Sequence, residues 1–286
     1  MSTARGDRSV PGQLSPAAFL VRGLAVGLAA GLIAFVVAFA FGEPYVDDAI
    51  ALEEAAAAQA PADHAAPADH GEPADHGEPA DEEPADESGM VEISRENQKS
   101  WGLLTGTLAV GAALGGLAAL AAAAVIGRLG SLSARGSTAL VALIGFVAVA
   151  LVPFTKYPAT PPAVGSGDTI GGRTASYFAL LLVSVLAAIA VVVLADRLRT
   201  RVDGWTAAFL GAGAYLAIVT VTAMLLPTVN EVGDFPADTL WYFRRSSLLT
   251  LTALWATIGV GLTVLIGRLH DRAAADLVRR ELAASL

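Results

Sequence analysis

Cysteine is absent from this 286-residue chain, which excludes disulfides, thiolate metal sites, iron–sulfur clusters and thiol nucleophiles at once. Charge is scarce as well. Asp, Glu, Lys and Arg make up 16% of the residues, against about 25% in an ordinary soluble domain. With 55% hydrophobic residues and a mean hydropathy of +0.59, the composition is not that of a cytosolic globule. Lysine is nearly missing, Lys99 and Lys156 being the only two, so Arg carries almost all the positive charge. No His-Glu-x-x-His pair, Gly-x-Ser-x-Gly elbow or Walker-type phosphate loop occurs. The sequence therefore offers no catalytic residue, no resident cofactor and no means of hydrolysing ATP, and a non-enzyme is expected.

What is present is a series of six apolar stretches: Phe19–Phe41, Leu103–Ile126, Ala139–Phe154, Ser176–Leu194, Trp205–Leu226 and Leu248–Ile266. About 20 apolar residues cross the hydrocarbon core as a helix. Five stretches meet that length, and Ala139–Phe154 spans with help from Ser137, Thr138 or local thinning of the bilayer. The expected fold is all-α, a polytopic transmembrane bundle of about six spans. Its parts are a tail over 1–18, a first span over 19–41, an acidic loop over 42–102, a bundle of five further spans over 103–267 and a basic tail over 268–286. The first stretch has an Ala38-Phe39-Ala40 sequence suggestive of a cleavage site, yet its apolar run exceeds a signal-peptide core, so a retained helix is expected.

The net charge of −9 is unevenly spread. Residues 43–102 hold 17 acidic and 2 basic side chains, whereas the remainder is net positive, which argues against nucleic-acid binding. Placing both termini in the cytoplasm puts 12 of the 18 basic residues inside and 6 outside, as the positive-inside rule requires. The acidic loop then faces outward from a bacterial cell membrane. Within it, a degenerate repeat opens at Pro61, Pro67, Pro73 and Pro79 and places His64, His70 and His76 at identical spacing, each after an Asp. Proline density and carboxylate repulsion predict disorder over 61–88. Two uses are open for it, an inert solvated linker and a metal-collecting arm of imidazole and carboxylate groups, and the latter is favoured.

Inside the spans there is no Asp, Glu, His or Lys, and Arg22 sits near an edge where it can snorkel. The spans carry hydroxyls instead, Thr107 and Thr250 among them. Oxygen ligands for a divalent cation gather at the outer ends: Glu43, Asp47, Glu96, Asn97, Asp168, Asn230 and Glu231. Glu96 and Asn97 open the second span and Asn230 and Glu231 follow the fifth, each pair beside proline-stiffened segments. Their alternative roles are complementing a helix dipole and capping a turn. Gly23, Gly27 and Gly31 share one helix face, and Gly102/Gly106 and Gly111/Gly115 repeat the spacing, which suits close helix packing within the chain or an oligomer interface. Packing is the simpler reading.

Several separated motifs in order carry a resemblance. Arg95-Glu96-Asn97-Gln98 with Trp101-Gly102-Leu103-Leu104-Thr105-Gly106 opens the second span. Pro153-Phe154-Thr155-Lys156-Tyr157-Pro158 leads to Pro161-Pro162-Ala163-Val164-Gly165, Gly172-Arg173-Thr174 follows, and Leu226-Pro227-Thr228-Val229-Asn230-Glu231-Val232 closes the fifth span. Over roughly residues 19–267 the chain resembles bacterial probable cobalt transporter subunits of the CbtA family. That resemblance implies an integral-membrane subunit of a cobalt uptake system linked to cobalamin synthesis; Co2+, with Ni2+ as the alternative, is the ion expected to be transported. It also implies a small, single-span, His-containing companion subunit (CbtB-like). The lipid bilayer as a contact follows from the apolar stretches, and a homo-oligomer is the alternative to packing within the chain that the glycine spacing leaves open. The resemblance supplies no ligand set, so the ligand candidates above rest on residue chemistry alone. The competing reading is a non-transporting membrane scaffold or metal-responsive accessory protein.

Overall fold

The computed structural model describes residues 14–59, 94–130 and 132–285. The repeat with His64, His70 and His76 therefore lies outside the described residues. Six helices are long and apolar enough to cross a membrane: α1 (Pro16–Phe41), then, after the 17-residue helix α2 (Glu43–Gln59), α3 (Arg95–Val125), α4 (Ala134–Lys156), α5 (Gly167–Leu198), α6 (Gly204–Leu225) and α7 (Ala237–Ser285). No strand occurs among the described residues. The expected all-α transmembrane bundle is what the chain forms.

Local chemistry sets the helix ends. Ser15 caps α1 by accepting from the Ala18 N–H at 3.2 Å, and Pro16 occupies the first turn, where its missing N–H costs nothing. Ser133 caps α4 in the same way through Gly136 N–H, and Asp203 caps α6 through Thr206 N–H. Two helices contain wide π turns, Gln98–Gly102 in α3 and Phe146–Leu151 in α4. The third apolar stretch, 16 residues by composition, belongs to a 23-residue helix. The basic tail past Ile266 is a continuation of α7.

Lipid offers no hydrophobic drive for helix association, so close backbone approach by small residues has to supply dispersion. Antiparallel α1 and α3 do this through their glycines. A Cβ on Gly23 would lie 2.6 Å from Gly115 O, one on Gly27 2.8 Å from Ala112 Cα, and one on Gly31 2.8 Å from Leu108 Cα. The glycine face predicted from spacing is thus filled by the chain itself. α7, antiparallel to α1 and parallel to α3, covers the same pair, burying Leu254, Ile258, Leu262 and Ile266 against Val26, Ala30 and Ala34. A second, smaller core joins α4, α5 and α6 around Ala148, Ala187, Tyr215 and Val219. There the Ser184 hydroxyl donates to Ala148 O at 2.8 Å, inside the π turn, and lies 2.7 Å from the Tyr215 hydroxyl. Leu182, Leu186, Phe209 and Leu216 are left exposed, as lipid-facing side chains are.

The start of α1, the start of α4 and the later part of α7 lie on one face of the bundle, where Phe19 meets His270 and Arg135 pairs with Asp271 at 2.6 Å. The opposite face carries α2, the flanks of the 60–93 segment, and the turns after α4 and α6. It is called the loop face below.

Candidate functional site

Two polar centres occupy the loop face. The first begins on α2, where Glu43 and Asp47 sit four residues apart and so share one helix face. Arg95 and Lys99 repeat that spacing at the start of α3. Arg95 reaches Glu43 at 2.5 Å and Asp47 at 3.0 Å, while Lys99 lies 3.6 Å from Asp47. Two expected metal ligands are therefore brought together, with two cations opposite them. The start of α2 is fixed further by Tyr45, which stacks on Tyr242 with ring centres 5.6 Å apart. Arg245 covers the Tyr242 ring at 4.8 Å.

Below this ladder a groove of about 480 Å³ runs between α1, α3 and α7, with Glu43 and Gln98 at its loop-face end and Ala34, Thr107, Thr250 and Leu254 along its walls. The Thr107 and Thr250 hydroxyls donate to backbone carbonyls of their own helices, leaving their lone pairs available. Gly106 opens on this groove, and a Cβ there would meet nothing within 4 Å. It is the only expected glycine of the α3 face between Gly102 and Gly115 whose side is vacant, since Gly111 is closed by α1.

The remaining carboxylate–amide pairs behave differently. Glu96 and Asn97 are exposed, and their side chains make no hydrogen bond or ion pair among the described residues. Glu231 is occupied. Its carboxylate accepts from the Ser166 N–H at 3.1 Å and the Thr169 hydroxyl at 2.8 Å, with Arg173 Nε 3.7 Å away. The Ser166 N–H, then the Thr169 hydroxyl and the Arg173 charge, hold its pKa below the usual carboxylate range. Glu231 thus clamps the 166–173 segment to the turn after α6. Asp168 is exposed on that same segment. The Glu96–Asn97 and Asn230–Glu231 pairs share no hydrogen bond, and no group of three or more His, Asp or Glu converges among the described residues.

Asn230 belongs to the second centre, a cleft of about 800 Å³ walled by the ends of α4 and α5, the turn after α6 and the start of α7. Lys156, Arg173 and Arg244 line it together with Tyr157 and Tyr177. The Tyr157 hydroxyl donates to Pro227 O at 2.8 Å and ties the two proline turns together. Nearby, Ala163 holds a left-handed φ of 63°, a strained conformation for a residue with a Cβ, and Gly165 follows at 103°. Lys156, Arg173 and Arg244 serve as orientation and anchoring residues in the sequence. Nothing in their spacing announces that they converge.

The model of one protein family, described as probable cobalt transporter subunit (CbtA), matches residues 17–267. No curated protein and no solved structure matches the chain.

Proposed function

The chain belongs to the CbtA family of probable cobalt transporter subunits, and from that premise we propose that it carries Co2+, or Ni2+, through the groove between α1, α3 and α7. Family and fold together make it a multi-pass membrane protein of a transporter-subunit family. In the proposed arrangement both termini are cytoplasmic and the loop face looks outward, supported by 12 of 18 basic residues falling on the termini side. His64, His70 and His76 gather metal on the outer segment and raise its concentration at the loop face, where Glu43 and Asp47 receive it. A tethered collector works by local concentration without having to shape a path.

One observation carries this reading: the groove that starts at Glu43 passes the vacant flank of Gly106 and two threonine hydroxyls. Soft ligands are not required, because carboxylate, amide and hydroxyl oxygens replace part of the ion's water shell. Energy and further partners come from outside the chain, since no phosphate-binding loop is present. A small His-containing companion subunit and a role in supplying cobalt for cobalamin synthesis complete the proposal. The ion pairs of Arg95 and Lys99 favour a second reading, a metal-responsive accessory protein in which the acidic pair is structural.

Radioactive cobalt uptake in a strain lacking this chain separates the two. Restoring the wild-type chain raises uptake, and Glu43→Gln with Asp47→Asn raises the half-saturating metal concentration several-fold at normal membrane abundance. Uptake that is indifferent to the chain, or to the acidic pair, supports the accessory reading.

A further inference from the structure

The cleft between the α4–α5 and α6–α7 turns has the wrong sign for a metal cation. Three of its lining side chains, Lys156, Arg173 and Arg244, are cationic, and none is Asp or Glu. Glu231, just outside the lining, offsets one charge through Arg173. The other two have only neutral partners: Lys156 Nζ contacts the Thr228 hydroxyl at 3.1 Å, and Arg244 Nε donates weakly to Ala159 O at 3.4 Å. The two terminal nitrogens of Arg244 make no hydrogen bond among the described residues, so the planar fork that suits a carboxylate or phosphate is vacant. Both cations are half-buried, and neither forms an ion pair within the described residues.

From this geometry we infer that the cleft binds a small, multiply charged oxyanion bearing carboxylate or phosphate groups. Arg244 supplies the fork, Lys156 the point charge, and Asn230 and Thr174 neutral donors. About 800 Å³ is within the range of small-ligand sites, and the walls are stiffened in advance by Pro158, Pro227 and the Glu231 clamp, so little ordering is left to binding. The inference is independent of the groove reading: it concerns a separate cavity with the opposite charge. Its ligand chemistry has two sources, a soluble anion and the headgroup of an anionic lipid, because the cleft lies at the ends of the apolar helices α4, α5 and α7.

The test uses the full chain in nanodiscs of phosphatidylcholine, titrated calorimetrically with citrate and with inorganic phosphate. The expected result is saturable binding that weakens at least tenfold in Lys156→Gln/Arg244→Gln and persists in Lys156→Arg. Asn230→Asp, which introduces a negative charge without removing a cation, abolishes it and guards against a misfolded double variant. A parallel set of nanodiscs containing phosphatidylglycerol identifies the source. If the headgroup is the occupant, citrate binding disappears there, and native mass spectrometry finds phosphatidylglycerol retained by the wild type and lost from Asn230→Asp. The inference is overturned if neither soluble anion binds and lipid retention ignores both variants, or if binding is unchanged in Asn230→Asp.

Discussion

Gly106 and Gly111 lie on the same helix five residues apart, and replacing each with Ala should move stability in opposite directions. At Gly111 the new Cβ would lie 2.8 Å from both Cα and N of Gly31. Backbone cannot rotate aside as a side chain can, so α1 and α3 must separate. Overpacking of this kind costs about 1–3 kcal/mol. Replacing a helical Gly with Ala returns roughly 0.5–1 kcal/mol by reducing backbone freedom in the unfolded chain. The net expectation for Gly111→Ala is a loss on the order of 1–2 kcal/mol. At Gly106 nothing lies within 4 Å, so only the gain applies. The assay is reversible unfolding in mixed micelles with increasing dodecyl sulfate, followed by far-ultraviolet circular dichroism, with light scattering on the same samples. Equal shifts of the same sign at both positions would refute the argument that the α1–α3 backbone contact holds the bundle. A Gly111→Ala protein of normal stability that has lost an oligomer would assign the glycine face to an intermolecular contact.

Three other outcomes follow from particular contacts. The lowered pKa of Glu231 means that its clamp is fully formed above the ordinary carboxylate range and is lost as pH falls through the lowered value. Amide exchange at Ser166 should therefore quicken on acidification in the wild type, and be quick and pH-insensitive, after correction for intrinsic rate, in Glu231→Gln. Ser184→Ala strands the Tyr215 hydroxyl and leaves Ala148 O without its side-chain donor, and should destabilise the α4–α6 core by about 0.6 kcal/mol and at most about 1.7, measured in the same micelle titration. Replacing His64, His70 and His76 with Ala should depress cobalt uptake at scarce metal and leave it largely intact at abundant metal. Complete loss at abundant metal would make those residues part of the path.

The helices were legible because hydropathy is a one-dimensional property, and the glycine faces because a four-residue spacing fixes a helix side whatever packs against it. The third span shows the limit. Arg135, Ser137 and Thr138 lie ahead of the apolar run; Thr138 returns its hydroxyl to Ala134 O at 2.8 Å and Arg135 reaches out to Asp271, which satisfies two of the three, whereas the buried Ser137 hydroxyl finds no partner among the described residues. The tail past Ile266 lacks apolar continuity, but Ala, Leu, Arg and Glu are strong helix formers and carry α7 onward. The site was legible only in its chemistry. Glu43 and Asp47 were recognisable as ligand types, whereas their pairing with Arg95 and Lys99 crosses some fifty residues that no local pattern links. The cations of the second cleft come from α4, α5 and α7, and their convergence depends on how the α4–α5 and α6–α7 turns pack.

The central claim, passage of metal along α1, α3 and α7, is tested most directly at Gly106, where a side chain can enter the groove without disturbing a helix contact. Cobalt uptake should be compared in a strain lacking the chain and complemented with wild type, Gly106→Ala or Gly106→Leu, each at matched membrane abundance. The account predicts uptake near wild type with Ala, whose methyl leaves most of the groove open, and uptake near the uncomplemented background with Leu. Wild-type uptake by Gly106→Leu would contradict it and move the path elsewhere in the bundle.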